Sequence, residues 1–197
     1  HRHGQAGLAA PLFLFLAGLT MAMAASARST RVGHAAAASL ARLRGLQVFA
    51  LAFLFRVQSQ LLGWGALVNI LKVDILNVMG VAMVAAAIVW GWSERREVRI
   101  AIFAFAMALV AMSTPLVREW SLLSRLPDPI EAYIRPLPGR TNFALFPWAA
   151  FVFAGAIAGE LIHAAVSIAT ERRLQVGLFV AGVAGIGIAY AASLQPS

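Results

Sequence analysis

Cysteine is absent from the 197 residues, which excludes disulfides and thiolate metal sites and leaves the redox compartment unread. Charge is scarce as well. Asp, Glu, Lys and Arg make up 12% of the chain, about half the ~25% of a soluble globular domain. The alternation of apolar and polar residues that marks an outer-membrane barrel is missing, so any membrane-crossing segment reads as a helix. What fills the chain instead is hydrocarbon: 61% hydrophobic residues and a mean hydropathy of +0.81. The composition predicts an all-α integral membrane protein, a polytopic transmembrane helical bundle of about six spans. The net charge of +8 falls in the connections, where it speaks to orientation and anionic lipid and not to nucleic acid.

Six apolar stretches define the expected spans: Leu8–Ala25, Gly45–Leu62, Asp74–Trp92, Ile100–Val117, Asn142–Ala169 and Gln175–Leu194. Between the first two lies ARSTRVGHAAAASLARLRG, a basic, Ala-rich segment expected to be a short interfacial helix or the frayed ends of both spans. GWGALVNILKV, between the second and third, is too apolar for an ordinary loop and too short to cross, which suggests a re-entrant or interfacial piece. The connection Arg118–Thr141 is the one long one. Its Pro127, Pro129, Pro136 and Pro138 forbid a continuous helix and predict a folded loop or short interfacial helix. No fixed-period repeat stands out, and 1–197 reads as one transmembrane domain. The start at His1, without Met, reads as a fragment or processed chain with an upstream helix missing. No signal-peptide layout is visible.

Arginine sets the expected orientation. Arg28, Arg31, Arg42, Arg44, Arg95, Arg96, Arg99, Arg172 and Arg173 fall in the three short connections on one side. Arg2, Lys72 and the longer loop with Arg118, Arg125, Arg135 and Arg140 fall on the other. The bias puts the short connections in the cytoplasm and both termini outside.

On that outer side the polar residues gather. His1 and His3 precede the first span; Arg56, Gln58 and Gln60 end the second. Asn69, Lys72, Asp74 and Asn77 surround the start of the third, and Arg140 and Asn142 open the fifth. Each has a plain structural role open to it: snorkelling for Arg56, capping for Asp74, interfacial anchoring for Lys72 and Arg140. Nearer the cytoplasm, Glu160 and His163 form an intramembrane polar pair at i and i+3, able to bond each other or a neighbouring helix, and costly unless they face protein or water. Two such ligands without a second matching pair make no metal centre. Gly155 and Gly159, in GAIAG, are a small-xxx-small pattern whose ordinary meaning is close helix packing. GVAGIG in the last stretch has the wrong spacing, and no strand before it, for a nucleotide loop.

Three stretches, in order, carry a likeness: PLFLFLAGLTMAMA (Pro11–Ala24), VDILNVMGVAM (Val73–Met83) and NFALFPWAAFVFAGAIAG (Asn142–Gly159). Together they resemble the membrane-bound acyltransferases related to heparan-α-glucosaminide N-acetyltransferase, including bacterial members. The resemblance implies an acetyl group taken from cytoplasmic acetyl-CoA as donor, with no covalently bound cofactor. It implies delivery to an amine or hydroxyl acceptor, sugar-like, across the membrane. A histidine just before the stretch matching PLFLFLAG is implicated in the transfer, which points to His1 or His3. The family's first helix, with an Asp and an Arg-Gly pair, has no counterpart in this chain. On this footing His1, His3 and Asp74 are the expected catalytic residues, with the imidazole as base or acetyl carrier. Arg56, Gln58, Asn77, Arg140 and Asn142 are the expected substrate-binding residues. The expected setting is a bacterial inner membrane with lipid around the bundle and partner subunits or further copies beside it. Two other readings stand: a non-catalytic subunit that keeps the fold within a larger membrane assembly, and, more weakly, a transporter relaying protons through Glu160 and His163. Against the last, there is no inverted repeat and no pair of broken helices.

Overall fold

The computed structural model describes residues 6–63, 73–137, 141, 143–165, 170, 172–180 and 182–183. Among them every regular element is a helix. In order they are α1 (Ala6–Val32), α2 (His34–Gly63), α3 (Ile75–Gly91), α4 (Arg96–Glu119), a 3₁₀ turn (Ser121–Arg125), α5 (Asp128–Ile134) and α6 (Leu145–His163). The chain divides into two compact units, His1–Glu160 and Leu161–Ser197. In the second, helix covers 172–180 and 182–183, with Phe179, Val180 and Val183 exposed; the rest of the sixth expected span lies outside the described residues.

Four helices are long and apolar enough to cross a membrane: Ala9–Val32, His34–Ser59, Arg96–Glu119 and Leu145–His163. At 17 residues α3 is shorter, about 26 Å at 1.5 Å per residue, near the lower limit for a span. It is also the most enclosed, with Val78, Met79, Ala82, Met83, Ala86, Ala87 and Trp90 all buried. The chain is therefore an integral membrane protein, its apolar residues Phe105, Met112 and Leu116 of α4 turned outward.

Contacts between helices rest on small residues. A Cβ at Gly18 of α1 would lie 1.9 Å from the Val152 carbonyl oxygen of α6, and one at Gly155 would lie 1.9 Å from that of Phe15. Gly159 approaches Leu19 in the same way, at 2.5 Å. The GAIAG pattern thus brings two backbones into direct contact, gaining van der Waals packing that larger side chains would prevent. Gly45 of α2 against Val84, and Gly80 of α3 against Phe49, repeat the device. The pairings show α1, α3 and α6 running one way and α2 the other.

The basic segment after the first span is neither a separate short helix nor frayed. Ala and Arg are strong helix formers, and the segment simply lengthens both neighbours. The only break is Gly33, with φ 85°. Its N–H bonds to Ser29 O at 3.0 Å, the left-handed glycine that commonly ends a helix. The long connection folds as expected, with Pro127 before α5 and Pro129 in its first turn, where the missing N–H costs nothing. The fifth span begins later than expected: Phe146 is non-helical, in keeping with the restriction on a residue before proline.

Candidate functional site

Polar groups collect at both ends of the bundle. At the first, α3 begins with Asp74 in an extended conformation, and its N–H donates to Asn77 Oδ1 at 3.2 Å. That is the reach-back half of a capping box, so Asp74 does serve the helix. Its carboxylate also pairs with Arg56 from the end of α2. Asn77 is 1% exposed. Arg56, Ser59, Asp74 and Asn77, with Ala52, Phe55 and Leu76, line a cavity of about 200 Å³. Tyr133 of α5 closes in beside them: burial pushes its phenol above the usual value, while the Asn77 amide and the Arg56 charge act the other way.

Of the expected site residues, Arg56, Asp74 and Asn77 therefore come together. Gln58 does not line the cavity and is exposed. At 100° per residue it stands about 200° round the helix from Arg56, whereas Ser59, one turn on, shares the Arg56 face. His1, His3, Arg140 and Asn142 lie outside the described residues. Ser59 was legible from that spacing; Tyr133, in the proline-rich connection, carried no signal.

The second centre lies at the opposite end and is buried. Glu160 of α6, 1% exposed, accepts from Arg99 of α4 at 2.6 Å, from Trp90 Nε1 of α3 at 2.6 Å and from Ser26 Oγ of α1 at 2.9 Å. The Arg99 guanidinium also donates to the carbonyls of Ser93 and Glu94 at 3.2 and 2.9 Å, and stands 4.8 Å from the Trp90 ring centre. His34, opening α2, stacks on the same indole at 4.5 Å. One acid on α6 thus gathers side chains from α1, α3 and α4, and His34 of α2 joins them through the Trp90 indole. A charge this deep is tolerable because it is paired and its carboxylate accepts three hydrogen bonds, although Arg99 Nε is buried without a partner. Glu160 takes Arg99, not His163, as its partner; the His163 side chain is exposed. Arg99, Trp90 and Ser26 were missed because Arg99 read as a loop arginine and its acid is 61 positions away.

Among the described residues no three His, Cys, Asp or Glu side chains come together as a metal site. What the arrangement offers chemically is the first centre: a small cavity at the end of a membrane bundle, lined by a guanidinium, a carboxylate, an amide and a hydroxyl, with the Tyr133 phenol beside Asn77.

Comparison with known proteins is narrow but extensive along the chain. No curated protein and no solved structure matches. The family model described as heparan-α-glucosaminide N-acetyltransferase, catalytic, matches residues 3–190. That range takes in α1, α3 and α6, the helices whose sequences carry the resemblance noted above, and the chain belongs to the family of the heparan-α-glucosaminide N-acetyltransferase catalytic domain.

Proposed function

We propose that this protein is a membrane acyltransferase that moves an acetyl group from acetyl-CoA, supplied from the cytoplasm, to an amine or hydroxyl of a sugar-like acceptor on the far side. The supporting observation is the cavity at the start of α3, where Arg56, Asp74 and Asn77 converge in a chain of an acetyltransferase family.

The chemistry needs three things from the protein. The acceptor nitrogen or oxygen attacks the thioester carbonyl, the C–S bond breaks, CoA leaves as the thiolate, and the acceptor's proton passes to a base. His1 or His3 is that base, or first carries the acetyl group itself. Arg56 and the Asn77 amide are donors suited to the oxygen on which negative charge develops. Asp74 holds Arg56 in place and orients the imidazole or the acceptor. Arg140 and Asn142 complete the acceptor's binding.

The test is transfer from labelled acetyl-CoA by the full-length chain in sealed vesicles, with donor and amine acceptor supplied on opposite faces. The expected result is labelled acceptor, lost in a His1→Ala, His3→Ala double variant. Equal activity in the double variant ends the histidine assignment. No transfer to any acceptor leaves the fold in the service of a larger assembly.

A further inference from the structure

Between α1 and α2, toward the end that holds Glu160, an apolar trough of about 460 Å³ opens on the outside of the bundle. Phe13 and Leu16 of α1, Val48 of α2 and Met83 of α3 form its walls, and Arg28 and Arg44 are its only charged lining residues. Thr20, also in the lining, turns its hydroxyl back to Leu16 O at 2.8 Å and adds no free polar group. Both arginines are exposed, and no described carboxylate forms an ion pair with either. From Phe13 to Arg28 the helix rises roughly 22 Å, more than the ~15 Å half-thickness of a bilayer's hydrocarbon core. A second groove of about 610 Å³ on the other flank of α2 shares Arg44 and Val48 and is otherwise walled by residues such as Leu51 and Leu54.

We propose that the trough holds one anionic phospholipid, its phosphate between Arg28 and Arg44 and an acyl chain laid along α1 toward Phe13. Two guanidiniums with no ion-pairing carboxylate among the described residues, Arg44 donating to the neutral Gln47 Oε1 at 3.4 Å, match that amphiphile in charge, and the otherwise apolar channel matches it in length. Arginine suits phosphate because its fork of donors engages two oxygens at once. Met79 and Met83, unbranched and adaptable, suit a chain of varying kinks. A nucleotide fits poorly, because among the lining residues no aromatic face stands near the arginines to receive a base, and the Gln47 amide oxygen beside Arg44 already accepts from it. The inference rests on the membrane setting and is independent of acyl transfer.

The experiment is native mass spectrometry of the full-length chain in neutral detergent, with phosphatidylglycerol or phosphatidylcholine of identical chains. Phosphatidylglycerol is expected to be retained about tenfold more strongly, two basic residues near a phosphate supplying a preference of that order. Arg28→Gln with Arg44→Gln should erase the preference, and Arg28→Lys with Arg44→Lys should keep most of it. Thr20→Phe, which plugs the trough with both arginines intact, should lower retention and guards against misfolding of the Gln variant. Equal retention of the two lipids, full retention by the Gln or Phe variant, or displacement by millimolar inorganic phosphate or coenzyme A would each overturn the proposal.

Discussion

Glu160 and Arg99 meet at 2.6 Å with their side chains 1% and 8% exposed, and the Trp90 indole and Ser26 hydroxyl share the same carboxylate. Removing one partner strands the other charge in a buried place. Glu160→Ala or Arg99→Met is expected to destabilise the bundle by about 3–5 kcal/mol, and the double replacement Glu160→Leu with Arg99→Met by distinctly less. Thermal unfolding in detergent, followed by tryptophan fluorescence, measures both. Additive losses would mean the pair is not coupled.

Backbone contact at Gly155 makes a second forecast. A methyl group there meets the Phe15 carbonyl at 1.9 Å and α1 must move away, so Gly155→Ala should cost roughly 1–3 kcal/mol through overpacking. Gly177 has nothing within 4 Å. Gly177→Ala should be neutral or slightly stabilising by up to about 1 kcal/mol, because alanine favours helix. The same melting assay compares the two.

Tyr133 titrates late. Burial holds its phenol above the ordinary value of 10.0, so between that value and the folded one the native chain keeps a proton the unfolded chain has lost. The resulting stabilisation is complete below pH ~10 and disappears as pH rises through the folded value. Tyrosinate absorbance on alkaline titration should show a late-ionising component that Tyr133→Phe removes.

At the cavity, Asp74→Asn keeps a residue able to cap α3 while removing the charge beside Arg56. Acetyl transfer should fall about 10²-fold, as should transfer by Arg56→Gln, the order expected for losing one preorganised polar group at a reacting centre. Gln58→Ala should change nothing, since that side chain is exposed. Initial rates with labelled acetyl-CoA decide it.

How much of this could be read from the chain depends on which physical signal each element leaves. Length and hydropathy locate the membrane helices, because the bilayer demands both. They do not locate helix ends: α1 and α2 run through the Arg- and Ala-rich segment since those residues form helix in or out of lipid, and only Gly33 stops them. The meeting of Arg56, Asp74 and Asn77 was legible from their placement at one level of adjacent spans. The place of Gln58 was readable too, from helical rotation. The Arg99–Glu160 contact was not, because nothing in a sequence pairs two charges across 61 positions. Nor was Tyr133, whose position depends on how a proline-rich connection folds.

The interlocked glycines also decide which part of the protein can yield. Helices that touch backbone to backbone cannot slide or tilt without first separating, so α1 with α6, and α2 with α3, behave as two stiff pairs. Among the described residues α4 has no such interlock: it leans on Phe153 through Phe103, with ring centres 6.3 Å apart, and is tethered by the guanidinium of Arg99. Among the described long helices α4 is therefore the one fastened by side chains alone, with Arg99 as its bolt.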